Sequence, residues 1–262
     1  MIEQPADAIF NKRLTPQTFV LGLHAPAIAR QAQPGQFVML KVRAGTTPLL
    51  RRPFSICAVQ GDLILLLYRL VGEGTRIMTE IKEGQKLPVL GPLGQGFTPP
   101  QKDQPAILVA GGVGIAPLIF LAATLGSAPY RFLAGFSTAQ EIIPLEKLGF
   151  QDLTPLEATD DGSAGYSGFV TGLLEKTLAE IPSAAAPMIY ACGPNAMLKK
   201  VQAIAGTFQA SCEVSLESYM ACGLGACQGC AVKTRPNQKQ PYFHVCKDGP
   251  VFPAQTIDWT AL

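Results

Sequence analysis

The sequence is short of charge. Asp, Glu, Lys and Arg make up 15% of its 262 residues, against about 25% in ordinary soluble domains. It also lacks a surplus of either sign: 21 Lys and Arg stand against 19 Asp and Glu, a formal net charge of +2. Without a basic excess nothing tracks phosphates over a long face, which excludes nucleic acid as the expected partner. Disorder is excluded as well, since it needs few apolar residues and high net charge, and 48% of this chain is hydrophobic. The N-terminal MIEQPADAIF has an early acid and no apolar h-region, so no secretion signal is read and a cytoplasmic setting is expected. Internal repeats and low-complexity tails are missing too. At about 150 residues per domain the length suggests one or two domains, long enough to bury a core without staples.

A membrane span is the next absence. Residues 104–130 carry no charge and are long enough to cross a bilayer. Gly111, Gly112, Gly114 and Pro117 break the run at its centre. It reads as a buried strand, a glycine turn and a buried helix.

Around it the rhythm of the chain changes twice. Residues 1–100 hold strand-length runs at 18–24, 36–43, 54–59, 63–70 and 86–90, punctuated by Pro34-Gly35, Gly45, Gly61-Asp62 and Gly84. Short strands at this spacing suggest an antiparallel barrel or sandwich. From 104 to 210, apolar strands at 106–110, 131–136 and 187–191 alternate with helical stretches at 116–125, 141–148, 172–181 and 195–205. That alternation implies βαβ units on a parallel sheet. Residues 211–262 are rich in cysteine and glycine, with short strands only. The expected fold is therefore a multi-domain α+β chain with units at 1–100, 104–210 and 211–262.

What is there in quantity is cysteine, and it is clustered. Cys57, Cys192 and Cys212 are scattered, whereas Cys222, Cys227, Cys230 and Cys246 fall within 25 residues. An odd total in a reducing compartment suits metal or redox chemistry better than cross-linking. The spacing C-x4-C-x2-C followed by a lone cysteine is the plant-type ferredoxin pattern, in which four thiolates hold a 2Fe–2S cluster. Gly223, Gly225 and Gly229 let the loop fold tightly with its N–H groups aimed at sulfur. The alternative is a four-cysteine zinc site, which more often shows two separated C-x2–4-C knuckles. His244 reads as a strand residue beside Cys246.

Two further sites complete a redox set. The strand 106–110 runs into Gly111-Gly112-Val113-Gly114 and a helix, so free N–H groups and a positive dipole end face the space where a pyrophosphate sits. Asp160 and Asp161 follow another strand, and Cys192-Gly193-Pro194 ends a third; ligands of open α/β sheets lie at such carboxyl ends. A carboxylate suits a free 2′-hydroxyl and repels a 2′-phosphate, and no Arg or Lys lies between Thr154 and Glu175, so NAD is favoured over NADP. In the first domain, Arg51-Arg52-Pro53-Phe54-Ser55 precedes a strand: Arg52 suits a diphosphate and Ser55 a flavin ring. Arg69-Leu70-Val71 and Gly74-Thr75 lie on the next strand and turn. A nicotinamide moves electrons as a pair and an iron–sulfur cluster one at a time, so a flavin is expected between them.

These residues resemble a known family. RPFS, GGVGIAPL, ATDDGSAGYSGFVT and CGPNAML together resemble the ferredoxin–NADP reductase superfamily. ESYMACGLGACQGCAVKT and YFHVCKDGPVF are similar to the electron-transfer subunits of NAD-dependent dihydroorotate dehydrogenases, and the resemblance runs in order along the whole chain. It implies an N-terminal β-barrel binding FAD near Arg52, Pro53, Phe54, Ser55, Arg69, Leu70, Val71, Gly74 and Thr75. It implies a central α/β domain binding NAD near Gly111, Gly112, Gly114, Asp160, Asp161, Cys192, Gly193 and Pro194. It implies a C-terminal module with a 2Fe–2S cluster on Cys222, Cys227, Cys230 and Cys246. The same resemblance implies a separate FMN-bearing TIM-barrel subunit that oxidises dihydroorotate, two copies of each subunit associating, and electron flow from FMN through the cluster and FAD to NAD⁺ in pyrimidine biosynthesis. A chain of this length has no room for a barrel of about 250 residues as well. By the same analogy Cys192 faces the contact of nicotinamide and flavin; as a bare sequence feature it equally suits a buried strand thiol. Reductase subunits of sulfhydrogenases and of NADP-dependent ferredoxin oxidoreductases share these parts. A non-catalytic zinc module on a reductase scaffold is the remaining alternative.

Overall fold

The computed structural model describes residues 1–126, 128–182 and 185–262. Strands β1 (Ile2–Arg13), β2 (Thr18–His24), β3 (Phe37–Leu40), β4 (Arg52–Gln60), β5 (Leu63–Arg69) and β6 (Lys86–Leu93) close an antiparallel barrel in the order β1-β2-β5-β4-β3-β6. Alternate residues of these strands point inward: Leu21, Leu23, Val38, Leu40, Ile64 and Leu66 pack in one buried cluster with Tyr68. Two short helices accompany the barrel, α1 (Pro26–Ala29) and α2 (Glu73–Met78). Strand β1 goes beyond the sequence expectation, which had none before residue 18. Its IEQPADAIFNKR has no clean alternation, and it becomes a strand because β2 and β6 pair with it on both sides.

The second unit is a seven-stranded sheet. Strands β7 (Ala106–Gly111), β8 (Tyr130–Phe136), β9 (Leu156–Thr159), β10 (Tyr166–Ser167), β11 (Met188–Cys192), β12 (Ser211–Ser215) and β15 (Val251–Pro253) run in the order β10-β9-β8-β7-β11-β12-β15. All neighbours are parallel except β12 and β15. Helices α4 (Val170–Ala179) and α5 (Asn195–Thr207) bury Leu174, Leu178, Leu198 and Val201 against one face. Helix α3 (Ile115–Leu125) lies on the other face and also packs against barrel residues Cys57, Leu65 and Leu67. From Ile115 to Ala122 the helix, caught between a sheet and a barrel, has no wet side, which explains why this part of the run carries no charge. Among the described residues no helix is long and apolar enough to cross a membrane.

Two sequence expectations need correction. The stretch 141–148 is no α-helix: single 3₁₀ turns at Ala139–Glu141 and Leu145–Leu148 flank Pro144, which interrupts helical hydrogen bonding. Residues 211–215 are β12 of the sheet, because their backbone pairs with β11. Beyond β12 the chain leaves the sheet, forms the ribbon of β13 (Ala231–Lys233) and β14 (Tyr242–His244), and returns as β15 beside β12, Ser215 opposite Val251. Val232, Val245 and Phe252 of this excursion share a core with barrel residues Phe37, Met39 and Leu93.

Candidate functional site

A cleft of about 780 Å³ opens at the carboxyl ends of β7, β8, β9 and β11. Gly111, Gly112, Gly114, Asp160, Gly193 and Pro194 all line it, so three segments far apart in sequence meet there as a parallel sheet dictates. Gly112 has φ +53° with nothing within 4 Å of the place a Cβ would take. Gly114 is held by space instead: a Cβ there would lie 2.4 Å from the Cys192 carbonyl oxygen. The turn thus packs directly on the end of β11.

The two aspartates separate. Asp160 faces the cleft, and burial, Asp161 and Glu141 hold its carboxyl above the usual range. The Asp161 carboxylate accepts hydrogen bonds from the Ser163 N–H (2.9 Å) and hydroxyl (2.6 Å), which lower it; it is absent from the cleft lining. Cys192 is 1% exposed, and burial together with nearby Glu217 pushes its thiol far up. Local sequence showed no cation near the aspartates, yet tertiary structure supplies two to the cleft wall, each held by an acid. Lys200 pairs with Glu175 at 3.3 Å, and barrel residue Arg69 pairs with Glu141 at 3.6 Å. Sequence reasoning also missed Glu217, which lines the cleft; its surface is accessible, but the protein around it is dense enough for burial to raise its carboxyl. Only the fold brings Lys200 and Glu217 there, so no local signal marks them.

On the barrel, a second group assembles around the start of α2. The Arg52 side chain lies over Gly74, its Nε 2.9 Å from where a Cβ would stand, and it donates to the Leu50 carbonyl at 2.7 Å. The Thr75 hydroxyl accepts from the N–H groups of Val71 (3.0 Å) and Gly72 (3.1 Å) and donates to the Gly72 carbonyl. Leu70 and Val71 are exposed on the same turn. Pro53, Phe54 and Ser55 are half-buried along β4, Phe54 edge-on to Tyr68 at 6.2 Å. An arginine beside a helix start with free first-turn N–H groups and an apolar rim fits a flavin dinucleotide, whose diphosphate needs the first two and whose rings need the third.

The four clustered cysteines meet in two pairs. Cys227 turns its N–H (3.4 Å) and its thiol toward the Cys222 sulfur, and the Cys230 and Cys246 sulfurs lie 3.2 Å apart. Backbone N–H groups point at the sulfurs: Leu224 at Cys222 (3.3 Å), Gly225 at Cys246 (3.0 Å) and Cys246 at Cys230 (3.5 Å). Burial, the largest single influence, raises the Cys222 thiol, but the N–H groups of Cys227, Leu224 and Ala226 and the Cys227 thiol together bring it down to about 6. Burial and the neighbouring Cys230 push Cys246 up to about 12. Among the described residues no three His, Cys, Asp or Glu side chains converge closely enough for a single metal ion. A donor set of paired thiols with N–H groups aimed at sulfur fits a two-iron cluster, where each pair takes one iron. Cys222 and Cys227 reach the surface, whereas Cys230 and Cys246 are buried.

Comparison with known proteins gives three concordant findings. Residues 217–258 match the family described as the iron–sulfur cluster binding domain of dihydroorotate dehydrogenase B. The dihydroorotate dehydrogenase B (NAD(+)) electron transfer subunit of Caldanaerobacter subterraneus subsp. tengcongensis is 36% identical over 96% of this chain and 97% of its own. That of Desulforamulus reducens is 37% identical over 94% of each chain. Among solved structures, the NADH-dependent reduced ferredoxin-NADP oxidoreductase described for flavin-based electron bifurcation is similar with TM-score 0.84, at 27% identity over 98% of this chain and 91% of that one. A ferredoxin NADP+ reductase from Neisseria gonorrhoeae solved with FAD and NADP shares the fold alone, with TM-score 0.65 and 18% identity over 79% of this chain and 91% of its own. On near full-length identity the chain belongs to the family of electron transfer subunits of dihydroorotate dehydrogenase B (NAD(+)).

Proposed function

We propose that this chain passes electrons from the FMN of a dihydroorotate-oxidising catalytic subunit, by way of a 2Fe–2S cluster and FAD, to NAD⁺, serving pyrimidine biosynthesis in the cytoplasm. The observation that carries the reading is the two-pair arrangement of Cys222 with Cys227 and Cys230 with Cys246, with backbone N–H groups aimed at the sulfurs. It supports a two-iron cluster over a lone zinc ion. When bound, nicotinamide supplies hydride chemistry, flavin exchanges electrons singly or in pairs, and the cluster moves them one at a time.

The chain's own residues bind and orient. Arg52 and the start of α2 at Gly74 and Thr75 hold the flavin diphosphate; Pro53, Phe54, Ser55, Arg69, Leu70 and Val71 flank the rest of FAD. Gly111, Gly112 and Gly114, with Gly193 and Pro194 opposite, receive the NAD pyrophosphate at a turn left open at Gly112, where nothing lies within 4 Å of a Cβ position. Asp160 takes the ribose 2′-hydroxyl. Asp161 acts indirectly by bracing the loop through Ser163, which in turn accepts from the Ala139 N–H at 2.7 Å. Cys192 forms the wall behind the cleft, its burial keeping the thiol protonated and uncharged. No side chain need move a proton for the chemistry.

The catalytic subunit is the partner, in a two-plus-two complex. Co-purification with that subunit followed by a dihydroorotate:NAD⁺ assay tests the reading. The protein should be yellow-brown, with flavin bands and iron–sulfur absorption bleached by dithionite; colourless protein with one zinc per chain overturns it. A second reading, the reductase subunit of an NADP-dependent ferredoxin oxidoreductase, is favoured by the 27% identity over 98% of the chain to such an enzyme. Preference for NADPH over NADH and a ferredoxin-linked partner would establish it instead.

A further inference from the structure

The outward face of barrel strands β3 and β4 serves two neighbours. Val38 and Leu40 point into the barrel, so Phe37 and Met39 point out, into the buried cluster that holds Cys230, Cys246 and Val245. The register sets Met39 opposite Pro53 and Phe37 opposite Ser55. Directly opposed residues of an antiparallel pair stand on the same face, with Cβ atoms about 4.5–5.5 Å apart. Pro53 and Ser55 therefore share the outward face with Met39 and Phe37, one column beside the other. The β3 column is sealed, Met39 being 0% exposed, while Pro53 and Ser55 are only half-buried. The cysteine-rich segment covers the first column; the second borders the place given above to the flavin.

Met39 also meets the cysteine loop. A Cβ at Gly223 would lie 2.6 Å from the Met39 Cγ and 3.2 Å from its Sδ, and Gly223 is bonded to Cys222. The Leu93 Cδ1 follows at 3.4 Å. Leu93 belongs to β6, where it pairs with Phe37 on the side of β3 away from β4. The chain that follows Cys246 is fastened just beyond the end of β6, where the Gln95 N–H donates to the Gly249 carbonyl at 2.6 Å. Met39 thus touches the backbone beside a clustered cysteine and faces the strand of Pro53 as well.

We propose that Met39 is the bridge between the two redox sites: its side chain fills the space between the Cys222 loop and β4, and electrons cross there. This rests on the electron-transfer reading above and gives a residue that holds neither group the coupling between them. Electron transfer between fixed centres falls off faster across a void than across packed atoms. An unbranched thioether fills irregular gaps, and leucine, of like volume, can stand in for it. The step moves one electron and breaks no bond. One cluster iron passes from ferrous to ferric as the flavin gains the electron, and the flavin takes its proton from water. With NADH as donor the electron runs the other way along the same route.

The test uses the full chain loaded with its cofactors and mixed with NADH in a stopped-flow cell, flavin and cluster bleaching being followed separately. In Met39→Ala, flavin reduction should keep the parent rate while cluster reduction slows about tenfold or more, the scale of loss that ångström-sized misfits impose. Met39→Leu should stay within about twofold of the parent. Leu93→Ala opens a cavity beside the same loop but off the route. It should lose stability in urea much as Met39→Ala does, yet keep cluster reduction within about twofold of the parent. Pulsed EPR on the partly reduced protein reads the separation of the two centres, which should be the same in Met39→Ala and the parent. If Met39→Ala sheds its cluster, Met39→Val, which shortens the side chain less, carries the same expectations. Parent-like cluster reduction in the shortened variant, equal slowing in Leu93→Ala, or slowing accompanied by a lengthened separation overturns the bridge and leaves the electron-transfer reading intact. A parent protein whose cluster NADH never reduces overturns both.

Discussion

Adjacent aspartates in one turn have opposite fates: Asp160 looks into the cleft and Asp161 is committed to Ser163. Substituting Asp160→Ser should therefore relax the preference for NADH over NADPH by about tenfold or more, since a like-charge contact with a 2′-phosphate is removed. Asp161→Asn should leave that ratio close to the parent value; the ratio of kcat/KM for the two nucleotides distinguishes them. At the cluster, Cys227→Ser should abolish iron–sulfur absorption and electron exchange with the catalytic subunit, while NADH still reduces FAD. Normal dihydroorotate-to-NAD⁺ transfer in that variant would remove the cluster from the path. In the metal-free chain, Cys222 titrates near 6 and Cys57, raised by burial, near 12. The thiolate fraction of Cys222 thus grows as pH rises through about 6, and mapped iodoacetamide labelling should follow that rise at Cys222 and remain absent at Cys57.

At the scale of elements, the linker between barrel and sheet is gripped. The Thr98 N–H donates to the Glu213 carboxylate (2.9 Å), its carbonyl accepts from the Tyr190 hydroxyl (2.7 Å), and the Phe97 ring stands edge-on to Tyr190 at 5.5 Å. Glu213→Leu strands the N–H and should cost about 1–3 kcal/mol in urea unfolding, with Tyr190→Phe costing about 1 kcal/mol. Neither clamp residue was legible beforehand, because β11 read as a plain apolar strand, residues 211–215 read as part of the cysteine-rich unit, and the linker's fold appears only in three dimensions. The barrel strands and the β-strand, glycine-turn, helix unit were legible, since alternation and punctuation are local. Strand β1 was not, because pairing on both sides overrides its weak pattern, and the apparent helix at 141–148 failed at Pro144. Among the sites, the gathering of the four cysteines was readable from spacing alone. Asp160 could not be told from Asp161, because side-chain direction in a turn depends on which hydrogen bonds its neighbours offer.

For the whole molecule, one buried cluster of side chains crosses every boundary the sequence suggests. It joins Met39 of the barrel, Val214 of the sheet and Val245 of the cysteine-rich excursion. A Cβ at Gly223, beside Cys222, would lie 2.6 Å from the Met39 side chain, so the cluster loop rests on the barrel. We expect Met39→Ala to cost about 2–5 kcal/mol and to speed iron loss to a chelator, although Met39 ligates nothing. The return of the chain matters further. Ser215 and Val251 are paired neighbours on antiparallel strands, so the whole cysteine-rich segment enters and leaves the sheet at one point. In engineering terms it is a cassette. Joining β12 to β15 by a tight turn would keep every sheet strand in register and leave a flavin–nicotinamide reductase whose uncovered barrel side chains Phe37, Met39 and Leu93 mark where the cassette had been.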